Sequence, residues 1–366
     1  VVSDPVAMNV PLICEGSNSS DYMKAIRDAF YAKHPTTNSD SRYLVILSPT
    51  PKPDCVWEGK SLIGDANVAG GLVILKNTAD PFVITHELGH TLGLGHTDLI
   101  RCAKDVPDGS WSSCNAIEYG GAIDVMSNVD IHGPLSTYHQ WRMGILKDSD
   151  IQQVWESNTV TLNDVMASSG TRAIFFRDGK STYWIEYRKA FDGYGAGLAI
   201  YRTDPPPQNA VISPNISDIA NPVSDGVTTD VWLMNLDSFK YTSATQVSGS
   251  PTLRIGKSFV VFSGNISLTA TQKDSNSVDV QIDRKPDTTP PPQPVLIDAN
   301  LWVSPDTQII KSPYDDGESA IAKFQISVDD KVSDVDATDS NWKPTYLSPF
   351  VAPHVLQVSD PVSYTH

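Results

Sequence analysis

Eleven consecutive residues, His86-Glu87-Leu88-Gly89-His90-Thr91-Leu92-Gly93-Leu94-Gly95-His96, hold three of the eight histidines in the 366-residue chain. On a helix, His86 and His90 stand one turn apart on the same face, so both imidazoles can reach one ion. Zn²⁺ accepts imidazole nitrogen at ~2.0–2.1 Å. Glu87 adjoins the pair without being a ligand, which suits a base that holds and deprotonates a zinc-bound water. Gly93 accepts the left-handed conformation that ends a helix, so the chain can turn and bring up His96 as the third nitrogen. Three protein ligands leave a fourth position open, which is the pattern of a catalytic rather than a structural zinc. Asp98 is a competing third ligand. The spacing favours His96, and Asp98 is expected to make a hydrogen bond behind the ligands.

The elements that must position these residues can be read on either side. Asp80-Pro81 is a helix start, with Asp as N-cap and Pro at the first helical position. The helix is expected from Phe82 to about Leu92, with Ile84, Leu88 and Leu92 as an apolar row toward the core. Upstream, Val6–Ile13, Tyr43–Leu47 and Gly71–Leu75 read as strands, and a helix capped at Ser19 or Ser20 should run from Asp21 to about His34. The alternation is an α/β pattern. Gly71, Leu72 and Val73, just ahead of the motif, are expected to form the edge strand that pairs with an extended substrate.

The H-E-x-x-H-x-x-G-x-x-H pattern resembles that of the metzincin metallopeptidases. Metzincins carry a methionine turn beneath the metal histidines, and Tyr119-Gly120-Gly121-Ala122-Ile123-Asp124-Val125-Met126-Ser127-Asn128 looks like one, with Met126 as an apolar floor. The helix-like run Leu135–Leu146 and the later Tyr183-Trp184-Ile185-Glu186-Tyr187-Arg188 are similar to segments of the gametolysin-like peptidases and, more distantly, of the immune-inhibitor-A-like ones. The strong resemblance spans about residues 70–145. It implies hydrolysis of internal peptide bonds of protein or peptide substrates at one catalytic Zn²⁺. The chain departs from astacins and serralysins, which carry Tyr where Asn128 stands. Tyr138 is the substitute considered for that oxyanion role.

From about Ile151, short β-type runs separated by turn residues suggest a β-sandwich. The expected organisation is therefore multidomain. A metzincin-like α/β catalytic domain occupies 1–148 and a β-sandwich domain 149–285. A proline-rich linker, 286–294, leads to an immunoglobulin- or fibronectin-like module over 295–366, short for its type, that could bind a surface or a substrate. Cys14, Cys55, Cys102 and Cys114 lie in the first third and lack the C-x-x-C spacing of thiolate metal sites. They read as two disulfides in an extracellular compartment; of three pairings, Cys14–Cys55 with Cys102–Cys114 is the simplest.

Forty-three Asp and Glu against 27 Lys and Arg give a net charge of -16, which argues against nucleic acid and anionic membranes as partners. No apolar run is long enough to span a bilayer. The chain is expected to be a secreted, mature or trimmed monomer. Calcium has one candidate, Tyr314-Asp315-Asp316-Gly317, which lacks a full loop pattern and reads as a solvated turn. Two other functions compete with peptidase activity: a catalytically silent adhesion or binding protein on the same fold, and a zinc amidase with non-protein substrates. The intact Glu87 counts against the silent form.

Overall fold

The computed structural model describes residues 19–35, 41–48, 57–64, 68–76, 80–127, 133–179, 181–190, 195–204, 230–243 and 246–286, with three strands beyond them. The strand expected at Val6–Ile13, the cysteines Cys14 and Cys55, Asn128, nearly all of the linker and the acidic turn at Tyr314 lie outside the described residues.

In chain order the elements begin with α1 (Ser19–Lys33), β1 (Tyr43–Ser48), β2 (Gly59–Ser61), β3 (Gly71–Lys76), α2 (Pro81–Thr91), β4 (Thr97–Cys102), β5 (Cys114–Ile117) and α3 (Thr137–Arg142). Strands then dominate: β6 (Ile151–Gln153), β7 (Asn158–Asn163), β8 (Ala173–Asp178), β9 (Ser181–Arg188), β10 (Gly197–Arg202) and β11 (Val231–Met234). They continue as β12 (Asp237–Ser243), β13 (Gln246–Ser250), β14 (Leu253–Arg254), β15 (Ser258–Val260), β16 (Ile266–Gln272) and β17 (Ser277–Arg284). Three further strands, β18 (Lys323–Val328), β19 (Lys331–Asp336) and β20 (Leu356–Ser359), form a separate small sheet in the order β19-β18-β20. The fold is β-rich, and none of the described helices is long and apolar enough to cross a membrane.

The first sheet has the order β1-β3-β2, with β1 parallel and β2 antiparallel to β3. Side chains alternate across a strand, so β3 divides its apolar residues between two helices. Leu72 and Ile74 pack with Met23 and Ile26 of α1, while Val73 and Leu75 pack with Val83, Ile84 and Leu88 of α2. Both faces are covered, which is why Gly71–Leu75 reads as a continuous apolar run.

The position of β3 corrects the substrate-strand expectation. Gly71, Leu72 and Val73 lie in the centre of the sheet, because β1 and β2 occupy the two sides of β3. Among the described residues, β2 pairs only with β3 and leaves its other edge open.

The largest sheet has the order β5-β4-β11-β10-β9-β8-β6, with β14 added beside β10. One face (Ile100, Trp232, Ile200, Ile185, Ile174) packs on the four-stranded sheet β15-β16-β17-β7 through Phe259, Leu268, Val280 and Val160. The opposite face (Leu99, Leu233, Tyr201, Trp184) packs on Ala122, Ile123 and Tyr138. Two sheets therefore sandwich a core, as the short strands after Ile151 suggested. The expected boundary at 148/149 does not divide that sandwich. β4 and β5, from the segment carrying the histidines, are hydrogen-bonded into the same sheet as β8–β11, with β11 parallel to β4. The Cys102–Cys114 disulfide joins directly opposed residues of β4 and β5.

Candidate metal centre

Helix α2 is delimited as its residues dictate. The Asp80 carboxylate accepts a hydrogen bond from Phe82 N at 2.8 Å, and Pro81 takes the first helical position. At the other end Gly93 has φ +82°, Gly93 N donates to His90 O at 2.8 Å and Leu94 N donates to Gly89 O at 3.1 Å. Those two bonds are the paired closure of a helix ended by a left-handed glycine. They turn the chain so that His96 comes back beside His86 and His90. The apolar row is less covered than expected. Ile84, Leu88 and Leu92 are only partly buried, whereas His86, Glu87, Gly89 and His90 are buried.

The three imidazoles converge through their Nε2 atoms, 3.1 Å apart between His90 and His86 and 3.0 Å between His96 and His90. Each Nδ1 points outward, to Val125 O at 2.8 Å, Leu94 O at 2.7 Å and the Glu118 carboxylate at 3.3 Å. A carbonyl oxygen only accepts, so His86 and His90 carry their proton on Nδ1 and face each other with Nε2 lone pairs. Burial is the main cause holding all three imidazoles neutral. It lowers His86, pushes His90 down to about 3 and holds His96 well below its ordinary value, the neighbouring rings adding to the effect. Two ligands at ~2.0–2.1 Å and tetrahedral angles sit about 3.3 Å apart. The donor set, its protonation and its spacing thus fit one cation. Among the described residues these histidines are the one group of His, Cys, Asp or Glu placed to share an ion.

Glu87 is buried and lies against β2. Its Oε2 accepts a hydrogen bond from Ser61 Oγ at 2.6 Å. A Cβ on Gly59 would fall 2.6 Å from Oε1, so only a glycine lets the carboxylate approach the strand so closely. Burial pushes the Glu87 carboxyl up to about 7, against the opposing pull of the Ser61 hydroxyl and of Lys60. A group in that range can both take and return a proton near neutrality.

Met126 packs against α2 at Gly89 and beside Leu94. It is fully buried, its carbonyl accepts from Thr97 N at 2.9 Å, and its sulfur lies 2.4 Å from where a Cβ on Gly89 would stand. In an exposed helix Gly→Ala would stabilise by about 1 kcal/mol. At Gly89 the clash decides the sign, and Gly89→Ala is expected to destabilise by about 1–3 kcal/mol. Thermal unfolding checks this, and a variant melting above the parent would rule out the tight contact. The turn itself is held by Asp124, which accepts from Met126 N at 2.9 Å, Thr97 Oγ1 at 2.9 Å and Ser136 N at 3.0 Å. Burial pushes the Asp124 carboxyl up, but His139, Arg188 and Thr97 together outweigh it and hold it below its ordinary range.

More distant residues complete the frame. Asp98 does not join the ligand cluster. Its Oδ1 accepts from Tyr119 N at 2.9 Å, fixing a residue with φ +59° whose ring centroid lies 4.0 Å from that of His96. Asp230 Oδ1 accepts from His96 N at 2.7 Å, and Val231 N donates to His96 O at 3.0 Å. Glu186 on β9 is wholly buried. It accepts from Thr137 N at 2.5 Å, Thr137 Oγ1 at 2.7 Å, Arg188 Nε at 2.6 Å and Tyr201 OH at 2.7 Å. Arg188 in turn donates to Ile123 O at 2.7 Å, inside the loop that carries Met126.

The structure thus brings together His86, Glu87, His90, His96, Gly93 and Met126, and sets Asp98 one layer behind. Tyr138 packs in the Trp184 cluster on the large sheet, and the tyrosine beside the histidines is Tyr119. Ser61, Gly59, Glu118, Tyr119 and Asp230 were not singled out from the sequence. Tyr119 alone had a signal, at the head of the methionine-turn stretch. Compared with models of protein families, with curated proteins and with solved structures, the chain matches none.

Proposed function

We propose that the chain is a zinc-dependent endopeptidase of the metzincin type, nearest in its motifs to the gametolysin-like peptidases, acting on proteins outside the cell. The observation that carries this reading is a buried carboxylate, Glu87, adjoining three neutral imidazoles in which the Nε2 of His90 lies 3.1 Å from that of His86 and 3.0 Å from that of His96. His86, His90 and His96 would hold the ion, with a fourth position left for water or substrate. Bound Zn²⁺ supplies Lewis acidity, lowering the pKa of water and polarising a carbonyl.

The chain's own groups supply the rest. The open edge of β2 can take an extended peptide as an added strand, with backbone hydrogen bonds setting its direction. Glu87, pressed against that strand, takes a proton from the attacking water and returns it to the departing amine. Glu118 and the Val125 and Leu94 carbonyls hold the rings in the tautomer that keeps Nε2 free. The Cys102–Cys114 disulfide agrees with an oxidising compartment.

The test is metal content together with proteolysis. The purified chain is expected to carry about one zinc per molecule and to cleave casein or gelatin. A chelator should abolish cleavage, and added Zn²⁺ should restore it. A chain that binds zinc at this site yet cleaves no protein would support the adhesion or amidase readings instead.

A further inference from the structure

We infer that Ser61 is a positioning residue that couples occupation of the β2 edge to the setting of Glu87. This role rests on the peptidase reading above. β2 is only Gly59-Lys60-Ser61, and alternation along a strand puts Gly59 and Ser61 on one face and Lys60 on the other. The observed contacts agree. Gly59 and Ser61 both meet Glu87, while the Lys60 ammonium lies over the Trp57 ring at 5.3 Å.

The two oxygens of the base are therefore not equivalent. Oε2 is held by the Ser61 hydroxyl at 2.6 Å, and Oε1 lies over the bare backbone of Gly59. Ser61 Oγ donates to Oε2, while among the described residues Oε1 accepts no hydrogen bond and is the freer oxygen to exchange a proton. Without that bond the terminal torsion of a glutamate is broad and nearly two-fold, and either oxygen could turn toward the reacting centre.

The same three residues offer the open backbone edge. Among the described residues β2 is paired on one side, through Gly59↔Leu75, Lys60↔Ile74 and Ser61↔Val73. A substrate strand pairing with the other edge would fix β2 from both sides and with it the Ser61 hydroxyl. Binding energy from substrate residues remote from the scissile bond would then appear as rate rather than as affinity alone.

The experiment compares zinc-loaded parent, Ser61→Ala and Ser61→Thr on a short fluorogenic peptide and on the same peptide extended at both ends. In the parent, kcat should rise with peptide length. In Ser61→Ala, kcat on the extended peptide should fall by about ten- to a hundredfold, the length effect should vanish, and KM and zinc affinity should stay as in the parent. Ser61→Thr, which keeps the hydroxyl, should recover most of the rate. Gly59→Ala, which pushes on Oε1 and keeps Ser61, should lower kcat as well, and it serves if Ser61→Ala fails to fold.

A parent that cleaves while Ser61→Ala keeps its kcat and length dependence would overturn the role of Ser61 alone. Loss in Ser61→Ala that is matched by weaker zinc binding or is not rescued by Thr would make the residue merely structural. A parent that cleaves nothing overturns the peptidase reading and this role with it.

Discussion

Glu87→Gln is expected to slow protein cleavage by about 10²–10⁴-fold while leaving zinc binding intact. The substitution keeps the shape of the side chain, and its amide oxygen can still accept from Ser61 Oγ, which meets Oε2 at 2.6 Å in the parent. It removes the ability to take a proton. The three histidines are neutral and turn their lone pairs toward the ion site, and the Ser61 hydroxyl already donates to Glu87. Zinc content and kcat/KM on one peptide check both halves of the expectation. Retention of full activity in Glu87→Gln would falsify the assignment of Glu87 as the base.

The second large effect lies far along the chain. Glu186→Ala and Arg188→Ala are each expected to cost about 3–5 kcal/mol, because each leaves a buried charge without its partner. That is a large share of the roughly 5–15 kcal/mol that holds a domain folded. Glu186 and Arg188 are 0% and 1% exposed, so water cannot replace the missing group. The double substitution, Glu186→Ala with Arg188→Ala, should cost less than the sum of the two single changes, since it buries no lone charge. Urea unfolding of the four proteins measures the coupling. Strictly additive costs would sink the idea that the pair acts as one unit. The single variants should also bind zinc more weakly, because Arg188 holds Ile123 O in the loop that leads to Met126.

Local chemistry explains what was legible in the sequence. Asp80, Pro81 and Gly93 act within one turn of their own positions, so the limits of α2 and the return of His96 could be read directly. The β-runs after Ile151 are short and separated by turn residues, which was enough to suggest a sandwich. Three residues show no periodicity, and β2 was therefore missed. The longer apolar run Gly71–Leu75 was taken for the edge when it is the centre. Asp230 meets His96 from 134 residues away, and no spacing rule reaches that far. Glu186 and Arg188 were noticed through a family resemblance, but their grip on Ile123 and Thr137 appears only once β9 lies beside the loop.

The insertion of β11 beside β4 has a consequence for the order of synthesis. As the chain emerges from the ribosome, α2 with His86 and His90 is complete long before Asp230 and Val231 exist. Until those two arrive, the backbone of His96 lacks the partners that hold it on both sides. Glu186 and Arg188, which steady the loop that carries Met126, also come after the histidines. His96 therefore waits on a strand made long after it, and a nascent chain stopped at residue 148 carries the whole zinc motif without Asp230 and Val231 to set its third arm.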